Sequence, residues 1–122
     1  MYLLDSDVLI NFLEKGVDFP HPFTGKKDCL SVISYYEIKY GTVKVKKEPL
    51  FDEFVNKSQI KIIGLDQKIV NETIRLRILL EKKGERLDDL DLFIAATALI
   101  NNLVLVTGNK KHFDRIKNLQ LY

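Results

Sequence analysis

Tryptophan is absent from the 122 residues, and cysteine occurs once, as Cys29. A single thiol closes no internal disulfide and supplies no cysteine-based zinc site. Histidine occurs only at His21 and His112. Neither has a partner at zinc-ligand spacing, so both read as surface or scaffold residues. With three prolines and six glycines, no tract is of low complexity. The nearest to one is Val17–Asp28, which holds Pro20, Pro22 and Gly25 and reads as a surface loop. The longest apolar runs, such as Leu92–Ala96 and Leu103–Val106, fall far short of the ~18 residues a membrane-spanning helix needs. The first apolar stretch, Val8–Ile10 with Phe12 and Leu13, follows acids rather than bases. That pattern argues against a secretory signal and makes the cytoplasm the expected compartment. Neither sign of charge dominates: 19 Lys+Arg against 17 Asp+Glu give a net +2. Such a balance leaves the partner class open, because distribution matters more than the sum. Hydrophobic residues at 46% and charged residues at 30% exclude a disordered chain. One domain over residues 1–122 is expected.

What is present is an alternation of short apolar runs with helical patterns. Met1–Leu4, Leu30–Ile33, Ile60–Leu65 and Leu103–Val106 read as strands, and Leu119–Leu121 as a further edge strand. Between them, Leu9, Phe12 and Leu13 recur at helical spacing up to Gly16, and Ser34–Tyr40 reads as a helix. Glu48–Pro49 opens a piece whose apolar face is Leu50, Phe51, Phe54 and Val55. Asp66 caps a long helix that ends on Lys82, Lys83 and Gly84. Asp88–Ile100 and Lys110–Ile116 complete the helices. Strands separated by helices imply crossovers, hence parallel pairing. The expected fold is α/β, a three-layer α/β/α sandwich with a mostly parallel sheet of four to five strands.

In such a sheet, strand ends and the starts of the next helices meet along one edge, where ligands bind. Asp5 ends the first strand, Glu37 lies one turn into the helix after the second, and Asp91 opens the apolar helix before the fourth. Thr107 and Asn109 follow that fourth strand. Each acid also has a local explanation. Ser34-x-x-Glu37 and Asp88-x-x-Asp91 have capping-box spacing, and Asp5 suits a turn. Asp7 reads as a helix-start or supporting group. Asp91, however, shares its stripe with Ile94, Ala95 and Ala98 on a helix that is apolar nearly all round, so its carboxylate is partly desolvated. Three carboxylates about 5 Å apart would repel by ~3 kcal/mol per pair at an effective dielectric near 20. Helix N-termini offset only ~0.3–1 kcal/mol each. If the acids converge they need protons, cations or nearby bases, and an all-oxygen donor set favours Mg²⁺ or Mn²⁺ over zinc.

Four blocks now carry a family resemblance. Asp5-Ser6-Asp7-Val8-Leu9-Ile10 resembles the opening D-x-[DNS]-[VI]-[LI] of PIN-domain nucleases, and Ser34-Tyr35-Tyr36-Glu37-Ile38-Lys39-Tyr40-Gly41 resembles their S-x-x-E-[LI]-x-x-G segment. Asp91–Ala98 is similar to the D-x-x-I-A-A-x-A helix, and Val106–Phe113 to the closing [VI]-T-x-[DN]-x-x-x-F. The ordered set most resembles the small VapC-type toxins of prokaryotic toxin–antitoxin pairs. The resemblance implies an endoribonuclease dependent on Mg²⁺ or Mn²⁺, with Asp5, Glu37 and Asp91 as metal-binding acids and Thr107 and Asn109 completing the catalytic set. Many family members carry a fourth acid where this chain has Asn109, which lowers the charge available to a second metal. The resemblance also implies a cognate antitoxin.

Tyr36, Lys39, Lys110 and Lys111 are candidate RNA contacts, by stacking and by phosphate pairing. Tyrosines at this spacing serve equally well in a core, and lysines on a solvated face. A homodimer is expected, with Leu92–Ile100 or Leu50–Val55 as its face unless these are core. Beside the toxin stands a PIN nuclease of RNA processing without an antitoxin, and two further readings lie outside the nuclease. One is a PIN fold that binds without cleaving. The other is a phospho-acceptor module of the receiver type, using Asp5, Asp7, Asp66 and Thr107. The receiver also needs a lysine at the end of its fifth strand, where this chain has Leu119-Gln120-Leu121.

Overall fold

A computed structural model describes residues 1–122. It places β1 (Tyr2–Leu4) at the centre of a sheet, with β2 (Asp28–Ser31) and β3 (Lys61–Ile63) to one side and β4 (Val104–Val106) to the other. All pairings are parallel, so every connection must cross over through helix. Register sets Leu3 level with Cys29 and Leu105, and Leu4 level with Leu30 and Val106. Side chains alternate along a strand, so these two rows face opposite ways.

Leu4, Leu30 and Val106 pack with Val8 and Leu9 of α1 (Ser6–Lys15), Ile38 of α2 (Val32–Lys44) and Phe51 of α3 (Glu48–Ser58). Leu3, Cys29 and Leu105 pack with Ile69, Leu76 and Leu80 of α4 (Gln67–Lys82) and with α5 (Asp89–Ile100). Phe113 of α6 (Lys110–Phe113) joins this second core. The three-layer α/β expectation holds. No helix is long and apolar enough to cross a membrane.

Three expectations are corrected. Val32 and Ile33, β-branched and read as strand, form the first turn of α2, because the Ser31 hydroxyl accepts from the Ile33 N–H and caps the helix there. Glu37 therefore lies deeper than one turn, and Ser34 is buried inside the helix instead of capping it. The fifth strand shrinks to a single bridge between Leu105 and Leu121, and Lys110–Ile116 is helical only to Phe113. Finally, Val17–Asp28 is not merely a surface loop. His21 is buried, and its Nε2 lies 2.6 Å from Oδ1 of the fully buried Asp28, with the rings of Tyr2, Phe19 and Phe23 around it. The second oxygen of Asp28 accepts from the N–H groups of Thr24 and Gly25. A lone histidine carries no local sign of the acid it will meet.

Leu92, Ile94, Ala95, Ala96 and Ala98 are almost fully buried, so the Leu92–Ile100 stretch is mostly core and not a dimer face. Its small residues let α5 lie close against the sheet and α4.

Candidate active site

From β1 the chain steps outward to β2 and then β3, and β4 is added on the opposite side of β1. The crossovers therefore diverge between β1 and β4, and the crevice at such a point, beyond the carboxyl ends of the strands, is where α/β sheets bind ligands. Asp5 leaves β1 there and Thr107 leaves β4. The Thr107 hydroxyl donates to Oδ2 of Asp5 at 2.7 Å, and the Ser6 N–H donates to Oδ1 at 2.8 Å. Asp5 thus does cap α1, but it also bridges two strands. It is only 6% exposed. Burial pushes its carboxyl up to about 6; the Thr107 hydrogen bond opposes the rise, while Asp7 and more weakly Asp91 add to it.

Asp7 stands two residues on. Its Oδ2 accepts from the Gly108 N–H at 3.0 Å, and its Oδ1 is buried with no partner. A Cβ at Gly108 would sit 2.7 Å from that carboxylate and push it aside. The Thr107 hydroxyl also accepts from the Asn109 N–H at 3.0 Å, which fixes the loop, and the exposed Asn109 side chain makes no capping bond.

Glu37 and Asp91 are both shifted upward. For Glu37 the main cause is burial, opposed by the Ser6 hydroxyl and reinforced by Asp91, Asp88 and Asp7. For Asp91 the main cause is again burial, then repulsion from Asp88, with His112 counteracting. Nδ1 of His112 lies 3.8 Å from Oδ2 of Asp91. The capping-box explanation fails for Glu37, whereas Asp91 does lie in the first turn of α5 as its spacing from Asp88 implies. The cap of α2 is Ser31, and Asp88 precedes α5 without a side-chain capping bond.

Asp7 and Asp91 both act on Asp5 and on Glu37, yet no three carboxylate, imidazole or thiolate groups stand in ligating arrangement. Desolvation, not mutual repulsion, is the first cause of each shift, which corrects the tightly clustered picture. The donor set still fits a hard divalent cation. It is built of oxygens, it is electrostatically under-compensated, and the Oδ1 of Asp7 is an orphaned buried acceptor. Ser34, one turn before Glu37, holds a second such atom.

Among the candidate RNA contacts, Tyr36 is exposed, and Lys110 and Lys111 are exposed without ion pairs. Lys39 differs, because its ammonium is bound to Asp52 of α3 at 2.6 Å. The scaffold reading of His112 is corrected by its place against Asp91. Asp88, Ser6 and His112 were not legible as site residues; only the packing of α5 against α1, α2 and the β4 loop brings them in. Asp66 lies beyond β3, two strands from β1, and its side chain caps α4. The receiver reading, which needs Asp66 beside Asp5, is removed.

Comparison with known proteins agrees with this geometry. The PIN domain family model matches residues 2–119. Ribonuclease VapC1 of Methanocaldococcus jannaschii is 34% identical over 119 residues, which span 98% of this chain and 83% of the relative. Ribonuclease VapC2 of Rickettsia felis is 32% identical over 130 residues, which span 99% of this chain and 96% of the relative. Among solved structures, VapBC2 from Rickettsia felis bound to a DNA fragment from their promoter superposes with a TM-score of 0.83 at 32% identity, covering 99% of this chain and 96% of that one. With its fold, its paired strand ends and its near-complete alignment all in accord, the chain belongs to the PIN-domain family, in its VapC ribonuclease branch.

Proposed function

We propose that this chain is a divalent-metal-dependent endoribonuclease acting as the toxin of a toxin–antitoxin pair. The observation that carries the reading is the Thr107–Asp5 hydrogen bond across the β1/β4 crevice, with burial and the nearby Asp7 raising the proton affinity of both Glu37 and Asp91 beside it. Asp5, Asp91 and Glu37 would hold Mg²⁺ or Mn²⁺. When bound, such an ion activates water and neutralises charge building at phosphorus.

The remaining chemistry belongs to the chain. Thr107 fixes the Asp5 carboxylate against rotation. Asp7 holds the Gly108 N–H and so sets the path of the loop carrying Asn109, whose side-chain amide is free to bond a phosphate oxygen. Glu37, whose carboxyl is raised chiefly by burial, would reach the ion directly or through a water molecule. Lys110 and Lys111 pair with flanking phosphates. Because water attacks and the 3′-oxygen leaves, the products carry 5′-phosphate and 3′-hydroxyl ends.

The Rickettsia felis neighbour is a VapBC assembly, which supports an antitoxin partner for this chain. A homodimer and a cytoplasmic setting complete the proposal. Of the two dimer faces considered, only that on α3, where Leu50 is 55% exposed, stays open to solvent. The test is incubation of total cellular RNA with and without EDTA, followed by mapping of the ends. Chelator-sensitive cleavage leaving 5′-phosphates is expected, and a folded protein that cleaves nothing in Mg²⁺ or Mn²⁺ would end the nuclease reading.

A further inference from the structure

Tyr36 and Tyr40 of α2 are each 60% exposed, an unusual amount of aromatic surface to leave in water. Tyr35, their neighbour in sequence, behaves differently and tilts onto Phe51 in the core at 5.4 Å. The rings of Tyr36 and Tyr40 are near-parallel, at 24°, with centroids 6.4 Å apart. Four residues apart on one helix, the two rings offer parallel faces on which a flat aromatic ring can stack. Glu37 lies between the two tyrosines in the sequence of α2, three residues before Tyr40 and so next to it on the helix surface.

Charge identifies the occupant. The Lys44 ammonium lies 6.0 Å from the Tyr40 ring centre. Lys44, Lys46 and Lys47 are exposed and make no ion pair, whereas Lys39 on the same helix is already bound to Asp52. A flat aromatic group joined to an anionic backbone suits that combination. We infer that Tyr36 and Tyr40 clamp one unpaired RNA base beside the scissile phosphate, while Lys44, Lys46 and Lys47 hold the strand that follows. The inference rests on the ribonuclease reading and deepens it. A ring face reads no base edge, so the clamp selects unpaired over paired nucleotides and tolerates any base.

The test uses the full chain carrying Asp5→Asn, in Mn²⁺, with single-stranded RNA oligonucleotides containing 2-aminopurine at successive positions. One position is expected to lose fluorescence on binding. Tyr36→Leu or Tyr40→Leu should abolish that quenching and weaken binding by roughly 5- to 100-fold, the range measured for lost base stacking. Tyr→Phe at either position should restore both, and the same sequence as a duplex should show neither. Quenching and affinity unchanged in the Leu variants would overturn the clamp. So would Leu variants that bind RNA normally but lose a co-expressed protein partner, since the stripe would then be a protein-docking face. If the wild-type chain cleaves RNA but no position quenches, the clamp alone fails. If it cleaves nothing, the nuclease reading fails with it.

Discussion

Thr107 donates its hydroxyl proton to Asp5 across 102 residues of chain, at 2.7 Å, and so fastens the ends of β1 and β4 to each other. This bond holds the Asp5 carboxyl below where burial alone would set it. Thr107→Val keeps the shape and removes the donor. The Asp5 carboxyl should rise above about 6, and the acid limb of kcat/KM at sub-saturating Mn²⁺ should move to higher pH. Cleavage at pH 6 should fall more than cleavage at pH 8. Stability should drop by about 1–3 kcal/mol near neutrality, the usual cost of an unsatisfied buried acceptor. Thr107→Ser should restore the profile. A Val variant with an unmoved acid limb would separate Thr107 from the chemistry.

Asp5→Asn should abolish cleavage and stabilise the metal-free protein. The folded-state value of about 6 lies above the ordinary 3.8. The native chain therefore binds the proton more tightly than the unfolded chain, and wild-type stability falls as pH rises between those values. The fall amounts to about 3 kcal/mol at one unit per 1.36 kcal/mol. The asparagine does not titrate, so its advantage should be near zero below pH 4 and reach its full size above pH 6, less the weakened bonds to Ser6 and Thr107. Melting curves in EDTA across pH 4–8 measure it. A variant less stable than wild type at pH 7.5 would contradict the desolvation account.

Metal addition should act in the opposite sense. Mn²⁺ at a hundred times its dissociation constant should stabilise the wild-type fold by about 2.7 kcal/mol. Asp5 must be ionised to bind it, so affinity should strengthen as pH rises through about 6. Calorimetry in two buffers of different protonation enthalpy should report proton release at pH 6 and little at pH 8. No thermal shift at tens of millimolar Mn²⁺ would remove the cation from the proposal.

His21→Ala tests the far end of the sheet. Removing the imidazole leaves Oδ1 of buried Asp28 without its partner while Oδ2 keeps the Thr24 and Gly25 N–H groups, and an unsatisfied buried acceptor costs about 1–3 kcal/mol. The denaturant midpoint should fall accordingly. Cleavage per folded molecule should stay unchanged, because Asp28 opens β2 at the edge opposite Asp5.

The fold was legible because apolar residues alternate with helical periods, and because all-apolar strands permit only a sheet covered on both faces. Asp5, Glu37, Asp91 and Thr107 were legible as residues at strand ends and helix starts, and the structure brings them to one crevice. Where reading failed, two local preferences competed. Val32 and Ile33 favour strand by side-chain shape, yet Ser31 supplies a cap before Ser34 can. The tie between Asp7 and Gly108, the approach of His112 to Asp91 and the burial of His21 against Asp28 depend on contacts between distant segments. No short window of sequence contains them.

The central position of β1 also imposes an order on biosynthesis. The strand that completes the crevice is translated some hundred residues after Asp5, once β2 and β3 have been made. Until β4 reaches β1, a growing polypeptide has the carboxylate without the threonine that orients it. A chain wired this way acquires that hydrogen bond only when β4 joins the sheet, so the crevice matures late in folding.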